Sequence, residues 1–541
     1  MSSRMVRSAG LISVATMASR VLGVARETVL AAVFGASGGP EMDAFNVAFR
    51  VPNLLRDLFA EGAMTAAFVP TFTRTLTTRG RDEAWRLGNL VINALLVVTG
   101  LLAVLGIFFA EPITHAIASG KEFASVPGKL ALTTQLTRIM FPFLTTIAVA
   151  VAMMGMLNSL NRFFIPALSP AMFNVATIAC AFGLAPLMPH VGLSPIVAIA
   201  IGTLLGGLGQ IALQWPVLHR EGFRYRPVID FSDPDLREML RLMAPGTLGL
   251  AAVQVNVFVN TYFASTQPQG AISWLNVAFR LMYLPIGLFG VSIATAALPE
   301  ISRFAASFDH AAVRGTVSRG LRLMLMLNVP ATIGLIALAQ PIVAFLLQRG
   351  RFDDHDTIAT AAALMCYAPG LIGYSAVKIV SPTFYSLRDS RTPVAISAAS
   401  VAINVVLNSA LVRALGFRGL ALGTAIAAIF NAGALLWLLG QRLEGIDGRR
   451  IARAFLKILS ASLIMGAVAW LADYALAGIL PSRSVIRFHV DVLLAVRLVA
   501  AIGLAIAALV GSARLLAIEE FDDAFGRVLR RVMPRREEAR R

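Results

Sequence analysis

The chain has 541 residues, of which 57% are hydrophobic and only 14% are charged, and its mean hydropathy is +0.74. This composition excludes an ordinary soluble domain and is typical of a protein that crosses a membrane many times. The net charge of +17 lies between the apolar runs and forms no separate basic domain, so the composition also argues against nucleic-acid binding.

Apolar runs of about 20 residues, the length that crosses a bilayer, recur along nearly the whole chain. They predict an all-α polytopic membrane protein with about fourteen transmembrane helices. The predicted spans are 10–35, 44–70, 87–110, 132–158, 165–187, 194–217, 239–264, 271–299, 322–347, 357–385, 394–413, 419–439, 453–478 and 490–513.

The first run begins like a secretory signal peptide, with Arg4 and Arg7 ahead of a short apolar region. Apolar sequence resumes beyond Arg20, so we interpret this run as an uncleaved first span. Lys and Arg are roughly three times as frequent on one side of the predicted membrane as on the other. The positive-inside rule then predicts that both termini are cytoplasmic.

A pentapeptide, NVAFR, occurs at Asn46–Arg50 and again at Asn276–Arg280, 276 − 46 = 230 residues later. Further matches at this offset, and near 159 and 386 at an offset of 227, predict two homologous halves. Six predicted spans separate the copies, and because six is even, the halves enter the membrane in the same direction. The predicted segments are an N-lobe at 1–218, a cytoplasmic linker at 219–238, a C-lobe at 239–440, two further helices at 441–513 and a basic amphipathic tail at 514–541, which we expect to be dispensable for transport.

Charged residues interrupt the first, second and eighth predicted spans. A charge at the centre of a bilayer costs about 2.5–3.5 kcal/mol on insertion scales, so such a residue usually faces a protein interior or a water-filled cavity. Arginine binds phosphate oxygens through two parallel hydrogen bonds and stays charged at any accessible pH. The excess of arginine therefore suggests a phosphate- or pyrophosphate-bearing cargo. The charged candidate residues of these spans are Arg20, Arg26, Asp43, Arg50, Arg56, Glu61 and Arg280.

A structural alternative stays open for each of these residues. Arg56, Asp57 and Glu61 fall near the cytoplasmic end of their span, where side chains can pair or reach the interface. Arg280 is the sharpest candidate because no acidic residue follows it in the sequence before Glu300.

Common catalytic motifs are missing from the sequence. It holds no GxxxxGK[ST], HExxH or GxSxG pattern, and Cys180 and Cys366 have no neighbour at metal-ligand spacing. We therefore expect a transporter rather than an enzyme, with no cofactor. The glycine pairs Gly202/Gly206 and Gly419/Gly423 have the spacing of helix-packing faces.

Taken together, several motifs resemble the MurJ (MviN) family of lipid II flippases, within the MOP exporter superfamily. They are SRVLGVARE, MDAFNVAFRVPNLLRDLFAEGAMTAAFVP, LNSLNRFFIPALSP, SWLNVAFRLMYLPIGLFGVSIATAALP and YSLRDSRTPV, in the family's order. The resemblance implies two six-helix lobes in a V around a central cationic cavity, with two extra helices lining a groove for the lipid tail. It also implies alternating access that carries lipid II across the bacterial inner membrane.

The same resemblance assigns the cavity arginines to Arg20, Arg26 and Arg280, and the second-span motif to Asp43, Arg50, Arg56 and Glu61. Some members carry an acid three residues after the last arginine, where this chain has Tyr283, so no carboxylate role carries over there. Expected partners are lipid II, membrane lipids and the cell-wall synthesis machinery, with no nucleic acid and a monomeric state.

A sodium ion sits between the seventh, eleventh and twelfth spans of some relatives, and its nearest matches here are Asn260, Asn404, Asn408 and Thr424. These are neutral oxygens, whereas a hard cation usually takes at least one carboxylate. Hydrogen bonding between helices is the alternative interpretation of the asparagines.

Other functions remain as alternatives at this point. One is another MOP-type exporter, which would move undecaprenyl-linked oligosaccharides or drugs. A membrane enzyme that acts on a polyprenyl pyrophosphate is a further alternative, and it lacks an evident base and metal set.

Overall fold

The structure is a computed structural model that describes residues 3–57, 63–479 and 492–521. Within these ranges the chain is helical almost throughout and contains no β-strand. Ten helical stretches in the described ranges, three of them made of consecutive helices, are long and apolar enough to cross a membrane, or eleven if the bent pair Asp354–Tyr367 and Gly370–Ser386 counts as one span. The all-α membrane architecture is confirmed, and the count of fourteen spans stays a prediction.

Two compact units divide the chain, and the first comprises Met1–Ser273 together with Arg349–Phe352. Its helices are α1 (Ser3–Phe34), α2 (Glu41–Arg56), α3 (Ala63–Thr78), α4 (Arg81–Phe108), α5 (Ala110–Ala118), α6 (Lys121–Ser125), α7 (Lys129–Met140), α8 (Phe143–Ser159), α9 (Phe164–Leu168), α10 (Ala171–Gly183), α11 (Val197–Arg220) and α12 (Pro234–Ser265), with a 3₁₀ turn at Ala185–Val191.

The second unit comprises Trp274–Gln348 and Asp353–Arg541. Its helices are α13 (Ala271–Pro285, whose first three residues belong to the first unit), α14 (Val291–Ala306), α15 (His310–Ala337), α16 (Ala339–Leu347), α17 (Asp354–Tyr367), α18 (Gly370–Ser386), α19 (Arg391–Leu415), α20 (Phe417–Arg442), α21 (Gly448–Ile479) and α22 (Val492–Leu515). A π-helix at Ile286–Gly290 joins α13 to α14.

Helix α12 corresponds to the first predicted span of the second half, yet it belongs to the first compact unit. Its N-terminus is tied to α3, where Arg74 and Glu238 form two hydrogen bonds of 3.0 and 2.6 Å. A compact unit is defined by which helices pack together, whereas a repeat is defined by sequence similarity, so their boundaries need not coincide. The proposed division into lobes at 219–238 therefore stays a prediction.

Small residues bring the helices close together, as the glycine spacing predicts. A Cβ atom added to Gly206 would lie 2.8 Å from the Cα of Phe173 on α10. One added to Gly419 would lie 2.3 Å from the carbonyl oxygen of Leu411 on α19. Both distances are shorter than a van der Waals contact, so these glycines serve helix packing, which confirms that interpretation.

The chain beyond α22 is packed against the second unit as far as Phe521. Ile518 and Phe521 are each 3% exposed and belong to its hydrophobic core. The carboxylate of Glu520 forms a buried ion pair with Arg322 of α15. Residues 518–521 are thus part of the folded unit rather than of a detached surface helix, and residues 522–541 of the predicted tail lie outside the described residues.

Candidate functional site

Two candidate arginines lie on α1, and α10 holds this helix in place. Asn174 donates to the carbonyl oxygen of Ser19 at 3.2 Å, beside the exposed Arg20. The half-buried guanidinium of Arg26 lies 4.9 Å from the ring centroid of Phe173, a cation–π contact. Arg26 also forms an ion pair with Glu27. Glu27 was not among the predicted residues, although its place next to Arg26 in an apolar run was an available signal.

Asp43, at the start of α2, is 1% exposed and surrounded by donors. Its carboxylate accepts from the Lys129 ammonium at 3.0 Å, the Gly270 backbone N–H at 2.8 Å, the Ser273 backbone N–H at 3.0 Å and the Ser273 hydroxyl at 2.7 Å. A carboxylate with this many donors has little capacity left for another ligand. Asp43 therefore holds the N-terminus of α13, where its negative charge favours the helix dipole.

The partner of Asp43, Lys129, was missed by the sequence analysis. It is the first residue of α7, is 1% exposed, and its ammonium lies 4.4 Å from the ring centroid of Phe123. A buried ammonium needs a compensating charge, and Asp43 provides it. In the sequence, a lysine directly after Gly128 and between apolar runs is indistinguishable from a loop residue.

The second half of α2 carries Arg50, which is half-buried, and Arg56. Arg56 binds Asp57 through Nη2 and Nε at 2.8 and 3.2 Å. Gln254 of α12 also donates to Asp57, at 3.3 Å. These contacts support the structural alternative for Arg56. Glu61, the last candidate of this span, lies outside the described residues.

Arg280 lies half-buried on α13, in the second unit. Its neighbour Phe279 is the centre of an aromatic cluster with Tyr283, Tyr367 and Tyr374, at centroid distances of 5.8, 5.5 and 6.0 Å. Pro285 and the π-helix follow directly, and both features interrupt regular helical hydrogen bonding. Arg280 is thus a cation on a helix of fifteen residues that has no acidic residue.

Three of the four sodium candidates come together in the second unit. The Asn408 side chain donates to the Asn404 side-chain oxygen at 3.0 Å, and Asn404 donates to the Thr424 hydroxyl at 3.3 Å. Because these groups bind one another across α19 and α20, the contacts favour hydrogen bonding between helices. Asn260 is half-buried on α12 of the first unit.

One further cluster has the composition of a metal site. Asp353, His355 and Asp356 bring one ligand atom each within 4.8 Å of one another. However, Asp353 accepts the backbone N–H of Asp356, and Asp356 accepts the indole N–H of Trp274 at 2.9 Å. The cluster stands at the N-terminus of α17, where the helix dipole disfavours a cation, and Asp353 is the N-cap of that helix.

The acidic residues described on α1 and α2, and Asp57 directly after α2, lie close to basic side chains. Every acidic residue described there is within 4.0 Å of a cation: Glu27 with Arg26, Glu41 with Arg351, Asp43 with Lys129 and Asp57 with Arg56. The same helices also carry Arg20 and Arg50. The arrangement is suited to an anionic ligand, since its carboxylates are already neutralised.

The chain is similar to known proteins over most of its length. A family model described as lipid II flippase MurJ matches residues 30–512. The lipid II flippase MurJ of Burkholderia cenocepacia is 36% identical over 464 residues, which cover 84% of this chain and 88% of that protein. The probable lipid II flippase MurJ of Vibrio cholerae is 33% identical over 480 residues, which cover 87% and 90%.

Solved structures show the same likeness. A lipid II flippase MurJ in an inward closed conformation matches with a TM-score of 0.74 and 27% identity, over 94% of this chain and 99% of that one. An inward-facing MATE-family multidrug transporter of the MOP superfamily matches with a TM-score of 0.65 and 17% identity, over 80% and 96%. At that identity the second match shows a common fold only.

Proposed function

Because the chain belongs to the MurJ family of lipid II flippases, we propose that it moves lipid II from the inner to the outer leaflet of the bacterial cytoplasmic membrane by alternating access. The observation that carries this function is the match to the family over residues 30–512, together with relatives that align over most of their own length. The chain is a multi-pass membrane transporter and not an enzyme.

We propose that Arg20, Arg26 and Arg280 bind the pyrophosphate of the cargo. A guanidinium presents a planar fork of N–H donors that matches phosphate oxygens, and it keeps its charge when it is moved out of water. The half-burial of Arg26 and Arg280 strengthens such a bond, because water competes less for the donors. Arg50 is the further candidate on α2.

The acidic candidates have a different role in this proposal. Asp43 acts as a positioning residue, since its carboxylate is occupied by Lys129 and by the N-terminus of α13, the helix that carries Arg280. Asp57 orients Arg56 in the same way. These contacts support a site in which acids place the helices and arginines bind the cargo.

A cationic cargo, as in a drug exporter, is less consistent with these contacts. Such a cargo needs an available carboxylate, and Glu27, Asp43 and Asp57 each form an ion pair with a basic side chain. The likeness to the multidrug transporter concerns the fold alone, so lipid II is the cargo that the observations support best.

We propose, from the distribution of Lys and Arg, that both termini face the cytoplasm. Reporters fused after Gly80, Arg226 and Arg541 should then behave as cytoplasmic, and one near Gly38 as periplasmic. A periplasmic result at Arg226 would overturn the proposed arrangement of the two halves.

Depletion in the parent bacterium tests the function itself. As the protein is lost from the cells, lipid II should accumulate in the inner leaflet. In a separate experiment, purified protein reconstituted into vesicles should move lipid II from one leaflet to the other. Depletion that leaves the distribution of lipid II unchanged would refute the proposal.

A further inference from the structure

The linker between α11 and α12 contains a segment without helix or strand, residues 223–231, which we call the strap. Its first residue, Phe223, is 1% exposed and packs edge-on against Trp85 and Trp215, with ring centroids 5.5 and 6.0 Å away. Beyond its other end, Asp233 caps α12 by accepting the backbone N–H of Asp235 at 3.0 Å. The strap is therefore fixed at both ends.

Two buried asparagines of α4 hold the strap's backbone along that helix. Asn89 donates to the Arg224 carbonyl at 3.0 Å and accepts the Arg226 backbone N–H at 2.8 Å. Asn93 donates to the carbonyls of Arg226 and Val228 at 2.8 and 2.9 Å. These bonds satisfy backbone groups that no strand pairs within the described part of the chain, which allows the strap to lie where water is scarce.

The direction of the strap brings it towards the apolar part of α4. Asn89 and Asn93 are one turn apart, about 6 Å along the helix axis. One turn beyond Asn93, the exposed side chains of α4 become apolar, beginning with Leu96 and Val97 at 37% and 44% exposure. In a helix that spans a membrane, such side chains face lipid, so the strap lies at the boundary between headgroups and hydrocarbon.

The exposed side chains of the strap suit that depth. Ile229 and Phe231 are 56% and 44% exposed although they are large and apolar. Arg224 and Arg226 are exposed beside them. Arg224 donates to the His219 carbonyl at 2.9 Å, whereas the guanidinium of Arg226 has no carboxylate within 4.0 Å among the described residues. A segment that combines apolar tips with an uncompensated cation is typical of the surface of an anionic membrane.

We propose that the strap binds anionic phospholipid, with Ile229 and Phe231 inserted among the acyl chains and Arg226 on a headgroup phosphate. In the orientation proposed above, this is the inner leaflet. Electrostatic attraction of one arginine to an anionic surface is about 1 kcal/mol, a roughly fivefold effect on local lipid occupancy. The strap thereby adds a second, cargo-independent lipid contact to the first unit.

Labelled full-length protein in nanodiscs tests this proposal. Cys180 and Cys366 are replaced by Ala, Ile229→Cys is labelled with an environment-sensitive fluorophore, and quenching by brominated lipid is measured in phosphatidylglycerol and in phosphatidylcholine nanodiscs. The matched control is Thr78→Cys, an exposed position at the C-terminal end of α3. We expect strong quenching at 229 and little at 78. We also expect more quenching in phosphatidylglycerol than in phosphatidylcholine, and we expect Arg226→Gln to remove that difference.

Three results would overturn the proposal. The first is a label at 229 that brominated lipid does not quench, which would leave the strap available to a cytoplasmic protein instead. The second is equal quenching at 229 and 78. The third is quenching that neither lipid charge nor Arg226→Gln alters. Because the side chain of Arg226 has no ion-pair partner among the described residues, its replacement should leave the Tm in phosphatidylcholine unchanged, which separates lost lipid binding from misfolding.

Discussion

Asp43 accepts a hydrogen bond of 2.7 Å from the hydroxyl of Ser273, and the two residues occupy the same position in the two copies of the repeat, since 273 − 43 = 230. The repeated segments therefore meet at their amino-terminal ends, where one copy supplies an acid and the other a hydroxyl. Lys129 completes the contact by neutralising the acid. Equivalent positions of the repeat thus carry different residues that bind each other. We call the buried contact of Asp43 with Lys129 and Ser273 the clamp; it lies at the start of the helix that carries Arg280.

Breaking this clamp from either side should destabilise the protein. Asp43→Asn leaves the Lys129 ammonium buried without a counter-charge, and Lys129→Met does the same to Asp43, so each should lower the free energy of unfolding by about 3–5 kcal/mol. The double variant should lose less than the sum of the two, since it leaves no isolated charge. Thermal unfolding in detergent measures this, with Lys121→Met, an exposed lysine of α6, as control. Strictly additive losses would contradict the clamp.

Residues 518–521 should matter more for stability than the residues that follow them. Truncation after Phe521 should leave Tm and complementation near normal, because the buried contacts of Ile518, Glu520 and Phe521 remain. Truncation after Leu516 removes them and leaves Arg322 buried without Glu520, a cost of about 3–5 kcal/mol. The point variant Glu520→Gln should reproduce part of this loss, while Glu519→Gln, whose side chain is 73% exposed, should not. Equal Tm values for the two truncations would exclude a structural role for residues 517–521.

A surface carboxylate should give the stability a defined dependence on pH. The backbone N–H and hydroxyl of Thr392, and then the charge of Arg442, hold the pKa of Asp389 below its usual value near 3.8. The ionised form therefore stabilises the folded state, in full above the unfolded pKa, and this contribution disappears as the pH falls through the folded pKa. Compared across pH by thermal unfolding, Asp389→Asn should be less stable than the parent at neutral pH, and the gap should close in acid. A gap that stays constant would contradict this role for the charge.

Some features of the structure could be predicted from the sequence because a single residue type, such as arginine or glycine, stands out within an apolar run. A guanidinium such as Arg280 within a span, or a glycine spacing such as Gly202/Gly206, is visible without the fold because the membrane itself makes it unusual.

The hydrogen-bond partners of a residue could not be predicted where they come from distant segments of the chain. The donors to Asp43 come from α7 and from the start of α13, and the asparagines that hold the strap lie on α4, more than 130 positions before it. Such contacts arise only when the helices pack, so Lys129 and Asn93 have no signature of their own in the sequence.

Arg280 tests the account most directly, because it is the candidate ligand whose helix carries no acid. Lipid II binding by purified protein should be measured for Arg280→Ala, Arg280→Lys and the exposed control Arg303→Ala, alongside growth complementation and Tm. Loss of a charge-assisted hydrogen bond of about 1.5–3 kcal/mol predicts that Arg280→Ala binds lipid II roughly 10- to 150-fold more weakly and does not complement, with a Tm near normal. Arg280→Lys should recover part of the affinity, since it keeps the charge but loses the planar fork, and Arg303→Ala should behave as the parent. A stable but inactive Arg280→Ala protein that binds lipid II with normal affinity would contradict the account and assign Arg280 to the conformational cycle instead of the cargo.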